Sequence, residues 1–402
     1  MSSYSQVESW EQWGFFILCG ILFLIFPILG ILVATFFAIK IENRQLVLFL
    51  IVLLALYFSA LNTTKILRSD MLAYIDMFKS VPQNGYHRTL TYMSGGDTTK
   101  DVGYASLVYL IYYIFSGNQH LFVFAISILI FSFFFVSIYK FSVQYEQQNY
   151  IIVAELFVIA FFTQYFSLTF HLVRQELATS IFFYALVFRD SSIKKFLIWS
   201  VVAVSMHSSI VAIMIFSIIP FMSQRLTIKK MAILVFVDLS SVVLISSMGA
   251  FLLDNYELEG SIGYSVSRMA EAEGAQDGSG TVGAILYVFS AVLLILSLIE
   301  TLWNKGRMIY PIIVNLCFVL CVLVLCMSTS PLLQYRFYFI EYNFFPFLVF
   351  LVFRHNPQLL KIVCSCAVFF FVFRFYNGFN NVFQFASIEE AIALPFFMLM
   401  KY

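Results

Sequence analysis

The stretch ILRSDMLAYIDMF at positions 66–78 places Arg68, Asp70 and Tyr74 close together in a chain where only 11% of residues are charged. Two further arginines stand at the ends of apolar runs: Arg174 in HLVRQE, just after His171, and Arg336 in LLQYRFYF, beside Tyr335. A cation at such a depth is costly unless it is paired, which makes it a functional candidate by default. The planar guanidinium fork binds phosphate oxygens two at a time. A face bearing Arg68, Arg174, Arg268, Arg336 and Arg374 therefore suits a doubly charged phosphate ester. His207 lies in the middle of the apolar run FLIWSVVAVSMHSSIVAIMIFSIIPF, where a polar ring needs a reason. Tyrosines near these arginines could stack on sugar rings. The competing reading is structural: snorkelling or ion pairing for the arginines, and a hydrogen-bonded core position for a histidine. That reading is preferred for Arg88, Lys100, His87, His120 and His355. Glu155 and Asp238, also inside apolar runs, are expected to make helix-packing hydrogen bonds.

The elements that must hold these groups are apolar helices. Of 402 residues 61% are hydrophobic, with 49 Phe and 23 Tyr, far above the roughly half apolar content of soluble domains. Apolar segments recur from 14–39 to 358–375, many near the ~20 residues that cross a bilayer. The expected fold is an all-α polytopic integral membrane protein with about 10–12 transmembrane helices, forming a single transmembrane domain over 1–402. The first run, 14–39, is too long for a signal-peptide core and reads as one retained span. Segment 104–116 is too short to span and reads as a half-helix. Two polar connections, 62–103 and 253–281, interrupt the pattern.

Lys and Arg accumulate on cytoplasmic loops. The short connections carrying Lys40 and Arg44, Lys140, Arg189 with Lys194 and Lys195, Arg225 with Lys229 and Lys230, Lys305 with Arg307, and Arg354 with Lys361 are assigned there. The acidic connection 253–281 falls outside, as does 62–103. Both ends of 196–221 then come out cytoplasmic. A re-entrant hairpin with His207 at its tip resolves the conflict, and an ordinary span with imperfect charge bias is the alternative. Backbone of that kind is tolerated at depth only where protein or water satisfies it.

Other classes are excluded by what is missing. The formal net charge is +1, so there is no basic patch for nucleic acid. The six cysteines all lie in apolar runs and form no zinc or disulfide pattern. No phosphate-binding glycine loop, H-E-x-x-H or G-x-S-x-G is present. Any activation must arrive with the substrate.

Three blocks resemble the EpsG family and the related Wzy-type oligosaccharide repeat-unit polymerases. They are Arg68-x-Asp70-x-x-x-Tyr74; Asp101, Gly103 and Tyr104 followed by Asn118; and HLVRQELATSIFFYALVF with the later MHSSIVAIMIF. They cover residues 60–220, with a looser match through Arg336. Position 101 carries Asp where the family usually has Glu.

The resemblance implies a GT-C-like glycosyltransferase bundle with two extended extracytoplasmic loops, in the bacterial inner membrane, active toward the periplasm. Its implied substrate is an undecaprenyl-diphosphate-linked oligosaccharide, with no cofactor and no metal. Membrane lipid and a polysaccharide chain-length regulator are the other partners it suggests. On this reading Arg68, Arg174, Arg336 and Arg268 grip diphosphate, and His207 or Asp70 is the base. Tyr74, Asp101, His171 and Tyr335 contact substrate, and the acidic loop around Arg268 forms a lid. A flippase of lipid-linked glycans and a single-sugar polyprenyl-phosphate glycosyltransferase are the rival readings.

Overall fold

A computed structural model describes residues 2–41, 43–68, 70–92, 101–255, 279–303, 310–327, 331–353, 356–384 and 392–401. The described chain is helical, with a single antiparallel bridge, Lys65 to Phe383. The expected all-α class therefore holds, and the chain is a multi-pass membrane protein. Four described helices have the length and apolar character to cross a bilayer, within 44–63, 119–144, 285–302 and 358–376. The bent pair Asn149–Ala160 and Tyr165–His171, angled by 53°, makes a fifth if counted as one span.

Contacts gather in two compact units. The first comprises residues 1–79, 110–187 and 356–402. It contains α1 (Ser2–Ile25), α2 (Pro27–Lys40), α3 (Arg44–Thr63), the first part of α4 (Asp70–Thr91) and the last part of α5 (Val102–Ile114). It continues with α6 (Gln119–Gln144), α7 (Asn149–Ala160), α8 (Thr163–His171) and α9 (Val173–Leu186). At its C-terminal end it has α16 (Pro357–Val382) and α17 (Phe396–Leu399). Its centre is Phe58 on α3, fully buried, with the rings of Phe131, Phe161, Phe166 and Phe371 at 5.4–5.9 Å. Asn62 donates to Ser127 and Thr169, each at 3.0 Å, tying α3 to α6 and α8 where no water competes. Ser142 donates to Glu155 at 3.0 Å, the helix-packing role expected of that carboxylate.

Segment 14–39 is not one span. Phe15 and Phe37 would stand about 33 Å apart on a straight helix, yet their rings lie 4.2 Å apart. The chain breaks at Phe26 (φ −138°, ψ 88°) because Pro27 pushes the residue before it out of the helical region and opens α2 at its first position. A Cβ on Gly30 would lie 2.5 Å from the Phe23 backbone, so this hairpin closes only with glycine there. The described part of connection 62–103 is likewise more ordered than its polarity suggests. It contains α4, anchored by Phe78, which stacks on Phe122 at 4.4 Å and meets Tyr112 edge-on. Asn118, quoted above for the resemblance, caps α6 by accepting from the His120 and Leu121 amides.

The second unit comprises residues 80–109 and 188–355. It contains α10 (Ile193–Met206), α11 (Ile210–Ile218), a 3₁₀ turn (Pro220–Ser223), α12 (Ile228–Asn255), α13 (Ser279–Leu298), α14 (Pro311–Cys326) and α15 (Pro331–Phe353). Residues 311–321 of α14 are all buried, and α14 packs against α12, α13 and α15. Its Asn315 donates to the carbonyls of Met222 and Gln224 at 2.7 and 2.8 Å.

The hairpin expected at 196–221 is present. Arg189, just before α10, donates to the Ser217 and Ile219 carbonyls at the end of α11, at 3.0 and 2.9 Å. Asp190 accepts from Ser223 at 2.6 Å. The start of α10 and the end of α11 are thus laced together, and the chain doubles back at His207.

Candidate functional site

In the first unit the candidate groups come from three segments. After α3 the chain runs extended beside the end of α16: Ile66 N–H donates to Val382 O at 2.8 Å and Gln384 N–H to Thr64 O at 2.7 Å. This pairing buries Lys65, only 3% exposed. Its ammonium donates to Phe166 O at 2.8 Å and sits 3.5 Å from the centroid of the Phe166 ring, with Phe170 at 5.3 Å. The carbonyl and the ring faces favour the cation, while burial pulls its pKa well below the usual lysine value.

Three residues on, Arg68 is exposed, and so is Asp70, which opens α4 with a carboxylate in its first turn. That placement suits the positive end of the helix. One turn along α4, Tyr74 is buried, and its hydroxyl accepts from Arg174 Nε at 3.4 Å. The guanidinium carbon lies 5.5 Å from the centroid of the same ring. Arg174 is half-buried at the start of α9. His171, half-buried at the end of α8, is within electrostatic reach of Lys65, Asp70 and Arg68.

Of the residues singled out in the sequence, Arg68 and Asp70 come within electrostatic reach of His171, as Lys65 does, while Tyr74, one turn along α4 from Asp70, pairs with Arg174, three residues past His171. Lys65 ends its span like an ordinary interfacial lysine, and only its burial distinguishes it. Two arginines, Arg68 and the Tyr74-held Arg174, thus stand near Asp70 and His171, an arrangement suited to a multiply charged anion whose charge rises during reaction. Groups of His, Cys, Asp or Glu able to hold a metal ion are absent among the described residues.

In the second unit His207 breaks the helix with extended backbone (φ −158°, ψ 128°) and is buried. Its Nδ1 accepts from Ser209 N–H at 3.1 Å, which assigns the proton of the neutral ring to Nε2. Asp101 accepts from Ser208 N–H at 3.3 Å from a left-handed backbone position (φ 53°). Gly103 is needed two residues later, because a Cβ there would fall 2.2 Å from Ser205 Oγ and 3.0 Å from the Ser205 carbonyl carbon. The Asp-x-Gly element thus braces the turn that carries His207. This gives Asp101 a hydrogen-bonding role in the protein beside the substrate contact expected of it. Tyr335 and Arg336 are neighbours on α15, both half-buried. Arg268 and the proposed lid lie outside the described residues.

No curated protein and no solved structure matches the chain. The EpsG family model matches residues 45–388, a stretch that contains both groups of candidate residues. The chain belongs to the EpsG family, which is associated with Wzy-type polysaccharide polymerases.

Proposed function

We propose that this protein joins undecaprenyl-diphosphate-linked oligosaccharide repeat units into a surface polysaccharide at the outer face of the bacterial inner membrane. An acceptor hydroxyl oxygen attacks the anomeric carbon of the donor glycan and a new glycosidic bond forms. The bond from that carbon to the diphosphate oxygen breaks, its electron pair leaves with undecaprenyl diphosphate, and the hydroxyl proton passes to a base. The observation that carries this reading is the cluster of Lys65, Arg68 and Arg174 beside Asp70, Tyr74 and His171. Cations fixed in a partly dry site stabilise a leaving diphosphate more in the transition state than in the ground state.

Arg68 and Arg174 are assigned to the diphosphate. Tyr74 holds the Arg174 guanidinium through its hydroxyl and ring. The base is Asp70 or His207, and the two differ in what they would need. Asp70 is exposed, whereas His207, with its proton on Nε2 and its Nδ1 accepting from Ser209 N–H, would have to release that bond to take a proton there. Arg336, Arg268 and Tyr335 are diphosphate- and substrate-binding candidates on their sequence alone.

The test is purified protein supplied with lipid-linked repeat units. A polymerase yields a ladder with release of polyprenyl diphosphate. One added sugar, or no new bond at all, would overturn the assignment.

A further inference from the structure

A cavity of about 790 Å³ opens in the first unit between α2, α7 and α16. Two cations stand in its lining, Lys40 at the last residue of α2 and Lys361 near the start of α16, with the Tyr150 ring beside them. Among the described residues no carboxylate lines it. The rest of the wall is largely apolar, including Val153, Leu360 and Phe157.

Phe157 also lines a second, almost wholly apolar cavity of about 330 Å³. One face of α16 runs through both: Leu360, Lys361, Cys364 and Ser365 in the first, then Val368, Phe371, Val372 and Phe375 in the second. From residue 360 to 375 that face rises about 22 Å at 1.5 Å per residue. A furrow about 22 Å long, with paired cations at one end and an apolar wall beyond them, matches a lipid of one leaflet with its headgroup included, half of the ~40–45 Å that a bilayer spans with its headgroups.

We propose that this furrow holds one anionic phospholipid, its phosphate between Lys40 and Lys361 and an acyl chain laid along α16. Basic pockets between membrane helices select such headgroups because each lysine adds favourable charge attraction where the hydrocarbon ends. A longer polyprenyl chain would overrun the furrow, and a zwitterionic headgroup would gain little from two lysines. The proposal stands apart from the assigned catalytic cluster and does not depend on it.

The experiment is native mass spectrometry of the full chain in neutral detergent, titrated separately with phosphatidylglycerol, phosphatidylcholine, undecaprenyl phosphate and inorganic phosphate. Phosphatidylglycerol should bind at one site in preference to the other three. Lys40→Gln and Lys361→Gln should each weaken it about 5-fold, and the double variant about 30-fold. In unaltered protein, raised salt should lower its occupancy, a readout that does not depend on the variants folding. Equal binding of phosphatidylcholine, tighter lysine-dependent binding of undecaprenyl phosphate, binding of inorganic phosphate alone, or salt-independent occupancy would each overturn the proposal.

Discussion

Arg174 is the residue on which the chemistry turns, because it is the half-buried cation of the cluster and its position is fixed by a partner. Tyr74 accepts from its Nε, and the centroid of the Tyr74 ring lies 5.5 Å from the guanidinium carbon. Arg174→Ala should lower polymerisation by about 10²–10³-fold, the usual cost of losing one preorganised donor to developing charge. Arg174→Lys should recover little of this, since an ammonium cannot make the paired contact. Tyr74→Phe keeps the ring and loses only the hydroxyl, so its effect on rate should be several-fold at most. Lys65 gives a pH signature. Its folded pKa lies below 10.5, so between those values the unfolded chain binds more protons and stability rises with pH. Melting temperature in micelles should climb with pH on the approach to 10.5 in unaltered protein and climb less in Lys65→Met. Arg68, Asp70 and Arg174 were legible in the sequence as charges in a chain that has few, and Tyr74 and His171 as their neighbours. Lys65 was legible only as one cation among several, because its burial comes from the pairing of 64–66 with 382–384, residues more than 300 positions apart.

At the scale of elements, two hairpins shape the chain, and only one announced itself. The hairpin at His207 was readable because basic residues at both ends of 196–221 demanded that the segment return to its own side. Arg189 and Asp190 then supply the lacing that holds those ends. The α1–α2 hairpin left a single signal, Pro27, and prolines are tolerated within membrane helices, so a 26-residue apolar run read as one span. Its test is Gly30. Gly30→Ala forces a Cβ against the Phe23 backbone and should cost about 1–3 kcal/mol, seen as a lower melting temperature. Gly20→Ala, where the nearest atom is 4.0 Å away, should leave that temperature unchanged. The Asp-x-Gly element makes a parallel case. Asp101→Ala should loosen the turn at 207–209 and reduce activity, whereas Asp101→Asn, which keeps an oxygen acceptor for Ser208 N–H, should retain most of it.

For the whole molecule, composition alone established a helical membrane protein, since 61% hydrophobic residues leave no soluble alternative. The number of uninterrupted crossings was not legible. Breaks at Phe26 and between α7 and α8 divide apolar runs into shorter helices, and hydropathy cannot see a turn made of apolar residues. The candidate site was legible as residue types and illegible as partnerships, because Tyr74 and Arg174 meet across 100 positions. The account as a whole stands on that meeting. Its most direct test is the ladder made from polyprenyl-diphosphate-linked repeat units by purified Arg174→Ala protein beside the unaltered chain, at matched melting temperature. The account predicts long chains from the unaltered protein and almost none from the variant. An undiminished ladder from folded Arg174→Ala would contradict it.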